Sequence, residues 1–242
     1  MRLRRGAPAV DQPLMNAPHG RVAVVIPALD EAATIAAVVT GIRSEIDATV
    51  IVVDNGSRDA TAAQARAAGA TVVSQPRRGY GWACRAGCDA ASGADVFVFL
   101  DGDGSMPASS IPALVAPVAD GSADVVCGAR RLRDGAMPWH QRAGNRVIAT
   151  LLRGLHGVRL RELGPFRAVR ASTLEALQLP GSRYAWPAQL LARAARHGSR
   201  IVEVDVGYGE RAGGRSKVGG TLKGSIQAAW DISRILVAER VR

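Results

Sequence analysis

Lysine is almost missing from this chain of 242 residues. Of its 31 basic side chains only Lys217 and Lys223 are lysines, and the rest are arginines. Aromatic residues make up 4% of the sequence, and there are three cysteines. No apolar run approaches the ~18 residues of a membrane-spanning helix. Each shortage excludes something. Scarce aromatics and scattered arginines leave no base-stacking platform, and no helix-turn-helix or zinc finger is visible, so nucleic-acid binding is disfavoured. Cys84, Cys88 and Cys127 are too few for a disulfide framework. Cys84 and Cys88 lack a second ligand pair, which argues against structural zinc. Three unpaired thiols fit a reducing cytoplasm. Two phosphate-binding signatures are also absent: no Walker loop ends in Gly-Lys-Ser/Thr, and the first strand runs into Pro-Ala-Leu-Asp-Glu rather than Gly-x-Gly-x-x-Gly. ATP hydrolysis and hydride transfer from a nicotinamide are therefore poor readings.

A globular composition remains, with 48% apolar and 21% charged residues and a net charge of +10. The arginine excess suits bidentate binding of phosphate oxygens, though a GC-rich coding bias produces the same excess. Residues 1–20 begin basic and turn Pro-rich and polar. They are expected to form a mobile tail rather than a signal peptide. From residue 21 to 130, short apolar runs alternate with Ala-rich stretches. Strands are expected at 22–26 (stopped by Pro27), 49–53, 71–74, 95–100 and 123–127. Helices are expected at 30–46 (opened by Asp30 and Glu31), 60–68, 80–92 and 110–119. Continuous apolar strands alternating with helices predict an α/β fold, a Rossmann-like and mostly parallel central sheet flanked by helices. The second half changes texture, with helices expected at 141–155 and 186–197, an extended stretch at 164–169 and a strand at 201–206. A Gly- and Arg-rich loop follows at 207–220, then an amphipathic helix at 221–241. No linker separates the halves, so 21–242 is expected to be a single domain.

Ligands of open α/β sheets bind beyond the carboxyl ends of the strands. Four polar clusters are expected there: 27–31, 54–59, 77–81 and 101–105. Asp101 and Asp103, separated by Gly102, leave an apolar strand together. Two such carboxylates repel unless water screens them or a cation lies between them. Mg²⁺ or Mn²⁺ takes one or two carboxylates and completes its shell with phosphate oxygens. A solvated Asp-Gly turn would have the same sequence. Asp54 also ends a buried strand, where a nucleotide would be hydrogen-bonded.

With these residues in view, 24–35, 52–61, 76–87 and 98–105 resemble the successive motifs of family-2 glycosyltransferases of the GT-A fold. Within that family the chain most resembles dolichyl- or polyprenyl-phosphate sugar synthases and their soluble bacterial relatives. Gly128-Ala129-Arg130, residues 163–170 and residues 204–220 extend the resemblance. It implies that 21–130 is the nucleotide-sugar-binding half and 131–242 the acceptor half. Pro27, Ala28, Asp30, Glu31 and Asp54 would line the base and ribose, and Arg77 and Gly81 would border that pocket. Asp101, Gly102 and Asp103 would form the D-x-D site of a divalent metal. Arg130, Arg167, Arg211, Ser216 and Lys217 would hold phosphates, with Asp103, Arg211 and Lys217 carrying catalysis, while Arg142 and Asn145 would face the acceptor. The glycine content of loop 207–220 leaves two expectations, closure over the diphosphate once donor and metal are bound or a plain surface loop. Two departures stand out: Asp30 occupies a position where Asn commonly precedes Glu, and Gln189 stands where relatives often place a carboxylate. Glutamine cannot act as a base, and a phosphate acceptor needs none. The activity implied is metal-dependent, inverting transfer of a hexose from a UDP-glucose- or GDP-mannose-type donor to a polyprenyl phosphate. The alternatives are transfer to a small soluble hydroxyl acceptor, an inactive donor-binding scaffold, and a sugar-phosphate nucleotidyltransferase. The last would need a Gly-rich basic loop after the first strand. The final helix, with Leu222, Ile226, Trp230 and Ser233 on one stripe, would pack on the core or lie on a membrane from the cytoplasmic side.

Overall fold

The computed structural model describes residues 20–130, 139–161, 163–209 and 222–241. In chain order the elements are β1 (Val22–Ala28), α1 (Ile35–Glu45), β2 (Thr49–Asp54), α2 (Thr61–Ala67), β3 (Thr71–Ser74), α3 (Tyr80–Ala90) and β4 (Val96–Phe99). After a 3₁₀ turn at Ala108–Ser110 come α4 (Ile111–Ala119), β5 (Val125–Arg130), α5 (Trp139–His156), β6 (Arg167–Arg170), α6 (Ala171–Ala176), α7 (Trp186–Arg196), β7 (Ile201–Val206) and α8 (Leu222–Val241). Seven strands form one sheet in the order β3-β2-β1-β4-β6-β5-β7. All neighbours are parallel except β6, which runs against both β4 and β5. The expected mostly parallel sheet is present.

The continuous apolar strands are explained by burial on both faces. Val22, Val24 and Ile26 of β1 point into one core with Ile35, Val39 and Ile42 of α1 and Leu114 and Val118 of α4. Ala23 and Val25 point into the other, with Ala83 and Cys84 of α3 and Trp186, Leu190 and Leu191 of α7. Alternate residues of one strand thus feed opposite layers.

Three expectations are corrected. Pro27 does not end β1; it pairs with Val53, and the strand continues to Ala28. Pairing of β1 with β4 stops at Val25–Phe99, and the last bond across that edge runs from the Leu100 N–H to the Val25 carbonyl. Residue 27 would donate next to that edge, and proline has no N–H to give. The chain leaving β4 is thereby freed from the sheet at the start of the acidic loop. Second, the first helix does not open at Asp30 and Glu31 but begins at Ile35, with Asp30 in the left-handed region at φ 51°. Asp tolerates that conformation better than most residues, and it is incompatible with a helix start. Third, α6 was not expected; its six residues directly follow β6.

Candidate functional site

The acidic loop is held from three sides. The Gly102 carbonyl accepts the Thr34 hydroxyl at 2.7 Å, tying the loop to the residue before α1. Asp103 is 3% exposed, and its Oδ1 accepts both the Ser105 N–H at 2.9 Å and the Ser105 hydroxyl at 2.7 Å. The Ser105 carbonyl accepts the Gly209 N–H at 2.9 Å. This last contact depends on Gly207, where any Cβ would come within 2.9 Å of the Pro107 ring. The exit of β7, leading toward Arg211, is thereby placed beside the acidic loop. A buried carboxylate with one oxygen aimed by two donors is fixed in orientation before any ligand arrives.

The two neighbouring loops are stitched together in the same way. Asp30 donates its N–H to Ser57 Oγ at 3.0 Å, and its Oδ1 accepts the Arg58 N–H at 2.7 Å. Glu31 donates its N–H to the Thr61 hydroxyl at 2.8 Å, and Ala32 donates to Asp59 at 3.1 Å. Asp59 also accepts the Thr61 hydroxyl and N–H. Its carboxyl lies below the usual range because these bonds outweigh the opposing effect of burial. Asp54 closes the turn by accepting the Ser57 N–H at 2.9 Å. Asn55 was missed in the sequence. Its amide donates to the carbonyls of Gln75 and Arg77 at 2.8 and 2.9 Å and accepts the Gly79 N–H at 2.8 Å, so it fixes the third loop to the second. Its position immediately after a buried strand was the available signal. Arg77 lies with its guanidinium 3.7 Å from the Trp82 ring centroid, a cation–π contact. Gly81 has a packing reason: a Cβ there would meet Trp186 and Ser182 at 2.7–2.9 Å.

The antiparallel β6 brings its incoming end to the same edge, since Arg167 pairs with both Phe99 and Cys127. Arg167 was expected to hold a phosphate. The structure instead buries it to 1% exposure and directs its guanidinium at backbone carbonyls. Those bonds go to Pro187 at 2.9 Å, Pro165 at 3.3 Å and Gly164. Arg130 ends β5 with its guanidinium 4.9 Å from the ring of Tyr208, a second residue the sequence did not single out. Asn145 lies half-buried on α5, and Arg142 falls on the same helix. Arg211, Ser216, Lys217 and the closing part of the 207–220 loop lie outside the described residues.

Beneath the acidic loop, Trp186 packs edge-on to Phe99 with centroids 4.8 Å apart and to Tyr80 at 6.4 Å. Burial pushes the Tyr80 hydroxyl well above its ordinary value, with nearby Cys84 and Asp101 adding to the rise and Arg167 opposing it. Burial likewise pushes Cys88 to about 12 and Cys127 to about 11, which favours the neutral thiol in both. Gln189 is buried and donates to Glu239 Oε1 at 2.6 Å; it faces α8.

Among the described residues no cluster of three or more His, Cys, Asp or Glu is placed to hold a metal. Asp101 and Asp103 supply only a hard, two-carboxylate donor set. Such a set suits an ion that brings or shares other oxygen ligands, not a cage of protein ligands alone.

A doubly covered, mostly parallel sheet with its polar loops gathered at one edge defines the nucleotide-binding class of α/β proteins. Comparison with known proteins narrows this. The chain matches Glycosyl transferase family 2 over residues 23–175 and belongs to that family; it is a glycosyltransferase. It is 44% identical over 216 residues to an uncharacterized glycosyltransferase of Mycobacterium tuberculosis, covering 89% of this chain and 97% of the relative. It is 32% identical over 236 residues to the undecaprenyl-phosphate mannosyltransferase of Micrococcus luteus, covering 91% and 96%. Among solved structures it resembles glucosyl-3-phosphoglycerate synthase from M. tuberculosis in complex with Mn²⁺, UDP and phosphoglyceric acid. There the TM-score is 0.75 at 29% identity, over 91% of this chain and 78% of the other. The sheet and flanking helices are those of the GT-A fold.

Proposed function

We propose that this chain transfers a hexose from a nucleoside diphosphate sugar to a polyprenyl phosphate, with inversion in a single displacement. Asp30, Glu31, Asp54 and Arg77, with Pro27 and Ala28, line the base and ribose. Asp101 and Asp103 hold a divalent ion, Mg²⁺ or Mn²⁺, together with the donor diphosphate. That ion supplies positive charge where the leaving diphosphate gains negative charge. Arg130, Arg211 and Lys217 reinforce that charge from the chain's own side, and the Ser216 hydroxyl donates a hydrogen bond to a phosphate oxygen. Arg142 and Asn145 lie toward the acceptor. A phosphate oxygen of the acceptor forms the new bond to the anomeric carbon as the bond from that carbon to the diphosphate oxygen breaks. Arg167 belongs to the scaffold, because its guanidinium carries the turn into β6 and the start of α7.

One observation carries the choice of acceptor. Gln189 has no carboxylate, and its amide is committed to Glu239 of α8, so α7 offers no base at that position. An alcohol must lose a proton during attack, whereas a phosphate arrives ionised. The mannosyltransferase relative, whose name specifies undecaprenyl phosphate, supports the same reading. The phosphoglyceric acid bound by the structural neighbour favours a second reading, a soluble phosphate-bearing acceptor.

The test is a transfer assay with UDP-glucose and GDP-mannose in Mn²⁺, offering undecaprenyl phosphate against phosphoglyceric acid and simple alcohols. Sugar on the lipid phosphate with release of nucleoside diphosphate supports the proposal. Turnover only with hydroxyl acceptors would overturn it, and release of inorganic diphosphate would instead indicate a nucleotidyltransferase.

A further inference from the structure

The last helix has apolar residues on two opposite sides. Ala228, Ile232 and Leu236 are buried on one side together with Glu239, which binds Gln189 and Arg193 of α7. At about 100° per residue, Ile226, Trp230, Arg234 and Val237 fall on the far side of α8. There Trp230 is 71%, Ile226 61% and Val237 53% exposed. Arg234 and Arg240 are exposed beside them. The amphipathic helix expected from the sequence thus has a second apolar face that the core does not use.

We propose that this outer stripe docks α8 flat on an anionic lipid surface, an inference that deepens the lipid-phosphate reading of the acceptor. Three observations favour a bilayer. The indole of a tryptophan suits the headgroup level, where an apolar ring and one N–H donor are both accommodated. The charges alongside are cationic: Arg234 borders the stripe and Arg240 flanks it, whereas Glu239 is on the buried side and Asp231 lies about 100° round from Trp230. The whole chain carries a net +10, and each cation near an anionic leaflet favours attachment. The described part of the stripe is also small. Its three exposed apolar side chains present roughly 350 Å², well below the ~800 Å² per partner of a stable protein dimer. An interfacial helix needs only one such face. On its other side the same helix grips α7, whose Trp186 packs on Phe99 immediately before the acidic loop. A docked α8 is therefore joined through one packed layer to the candidate site.

The experiment floats the full-length protein with phosphatidylcholine vesicles containing phosphatidylglycerol, at low and high salt. The wild type is expected to float with these vesicles, to release at high salt and to ignore phosphatidylcholine alone. Trp230→Glu is expected to lower partition at least tenfold with an unchanged melting temperature, and Arg234→Glu to lower it with a weaker salt dependence. No flotation of the wild type, or undiminished flotation of Trp230→Glu, would overturn the proposal. A photo-crosslinking amino acid at position 230 separates the occupants: adducts with lipid support it, and adducts with a second copy or with residues 1–19 overturn it. Trp230→Glu should still glycosylate a short, water-soluble prenyl phosphate while losing transfer to acceptor embedded in vesicles. If the wild type glycosylates neither, the acceptor reading fails, and flotation still decides the docking surface independently.

Discussion

The hydroxyl of Thr34 donates to the carbonyl of Gly102 at 2.7 Å, joining the chain after β1 to the acidic loop after β4 although 68 residues separate them. The Thr34 side chain is buried and also reaches the Glu31 carbonyl at 3.2 Å. One hydroxyl therefore sets the distance between the proposed ribose-binding residues and the aspartate pair.

Thr34→Val removes that hydroxyl at nearly constant volume and leaves the Gly102 carbonyl without this donor. The expected loss is about 1–3 kcal/mol, seen as a higher KM for the donor sugar with a smaller change in kcat. Steady-state kinetics at varied donor concentration check it, with Thr34→Ser expected to recover most of the affinity.

Asp103→Asn keeps an oxygen that accepts from Ser105 and so is expected to preserve the fold. It removes the charge on which divalent ion and diphosphate depend, so transfer should fall about 100-fold or more. Because the described residues offer only Asp101 and Asp103 there, Mn²⁺ alone should barely move the melting temperature of the wild type. Mn²⁺ with UDP should raise it, since a ligand that binds only the native state stabilises it. In Asp103→Asn that joint shift should vanish in a thermal-shift assay.

Arg167→Ala separates a scaffold role from a phosphate contact. Removing the guanidinium takes this donor from the carbonyls of Gly164, Pro165 and Pro187, the first of them buried, and opens a cavity. The expected cost is about 3–5 kcal/mol of stability. Chemical denaturation should show this loss. A phosphate-binding arginine would instead leave the unfolding midpoint in place and depress only kcat.

Acid should unfold the protein through two carboxylates. Hydrogen bonds from Arg200 pull Asp124 well below its ordinary 3.8 against the opposing effect of burial, and Arg170 adds to this. Burial alone would raise Glu239, but Arg193 and Gln189 bring it below its ordinary 4.5. Both native groups hold their protons less tightly than the unfolded chain does, so their stabilisation is complete above about pH 5 and fades as the pH falls through these values. Melting temperature against pH should therefore drop steadily below about pH 4.5. Asp124→Asn should be less stable at neutral pH and show a shallower acid slope.

The local pattern made much of this legible. Continuous runs such as 49–53 and 95–100 announced strands buried on both faces, and Asp101-Gly102-Asp103 announced its chemistry through composition and position. What stayed hidden depended on partners remote in sequence. Nothing in Arg167-Ala168-Val169-Arg170 states that it runs antiparallel between β4 and β5, or that its first arginine turns inward to carbonyls instead of outward to a ligand. Nothing local shows that Pro27 sits inside a strand, because its tolerance there depends on β4 leaving the sheet one step earlier.

By itself the sequence determined the layered α/β architecture and which loops carry polar chemistry, since both follow from side-chain periodicity and from where apolar runs end. Only the tertiary structure decided which charges are spent on the scaffold and which apolar faces remain uncovered. Arg167 and Glu239 are absorbed by partners that folding brings to them, and the outer face of α8 is left exposed because its opposite side already fills the space against α5 and α7. Burial of a side chain is a property of its neighbours in space, and those neighbours are chosen only when the layers close.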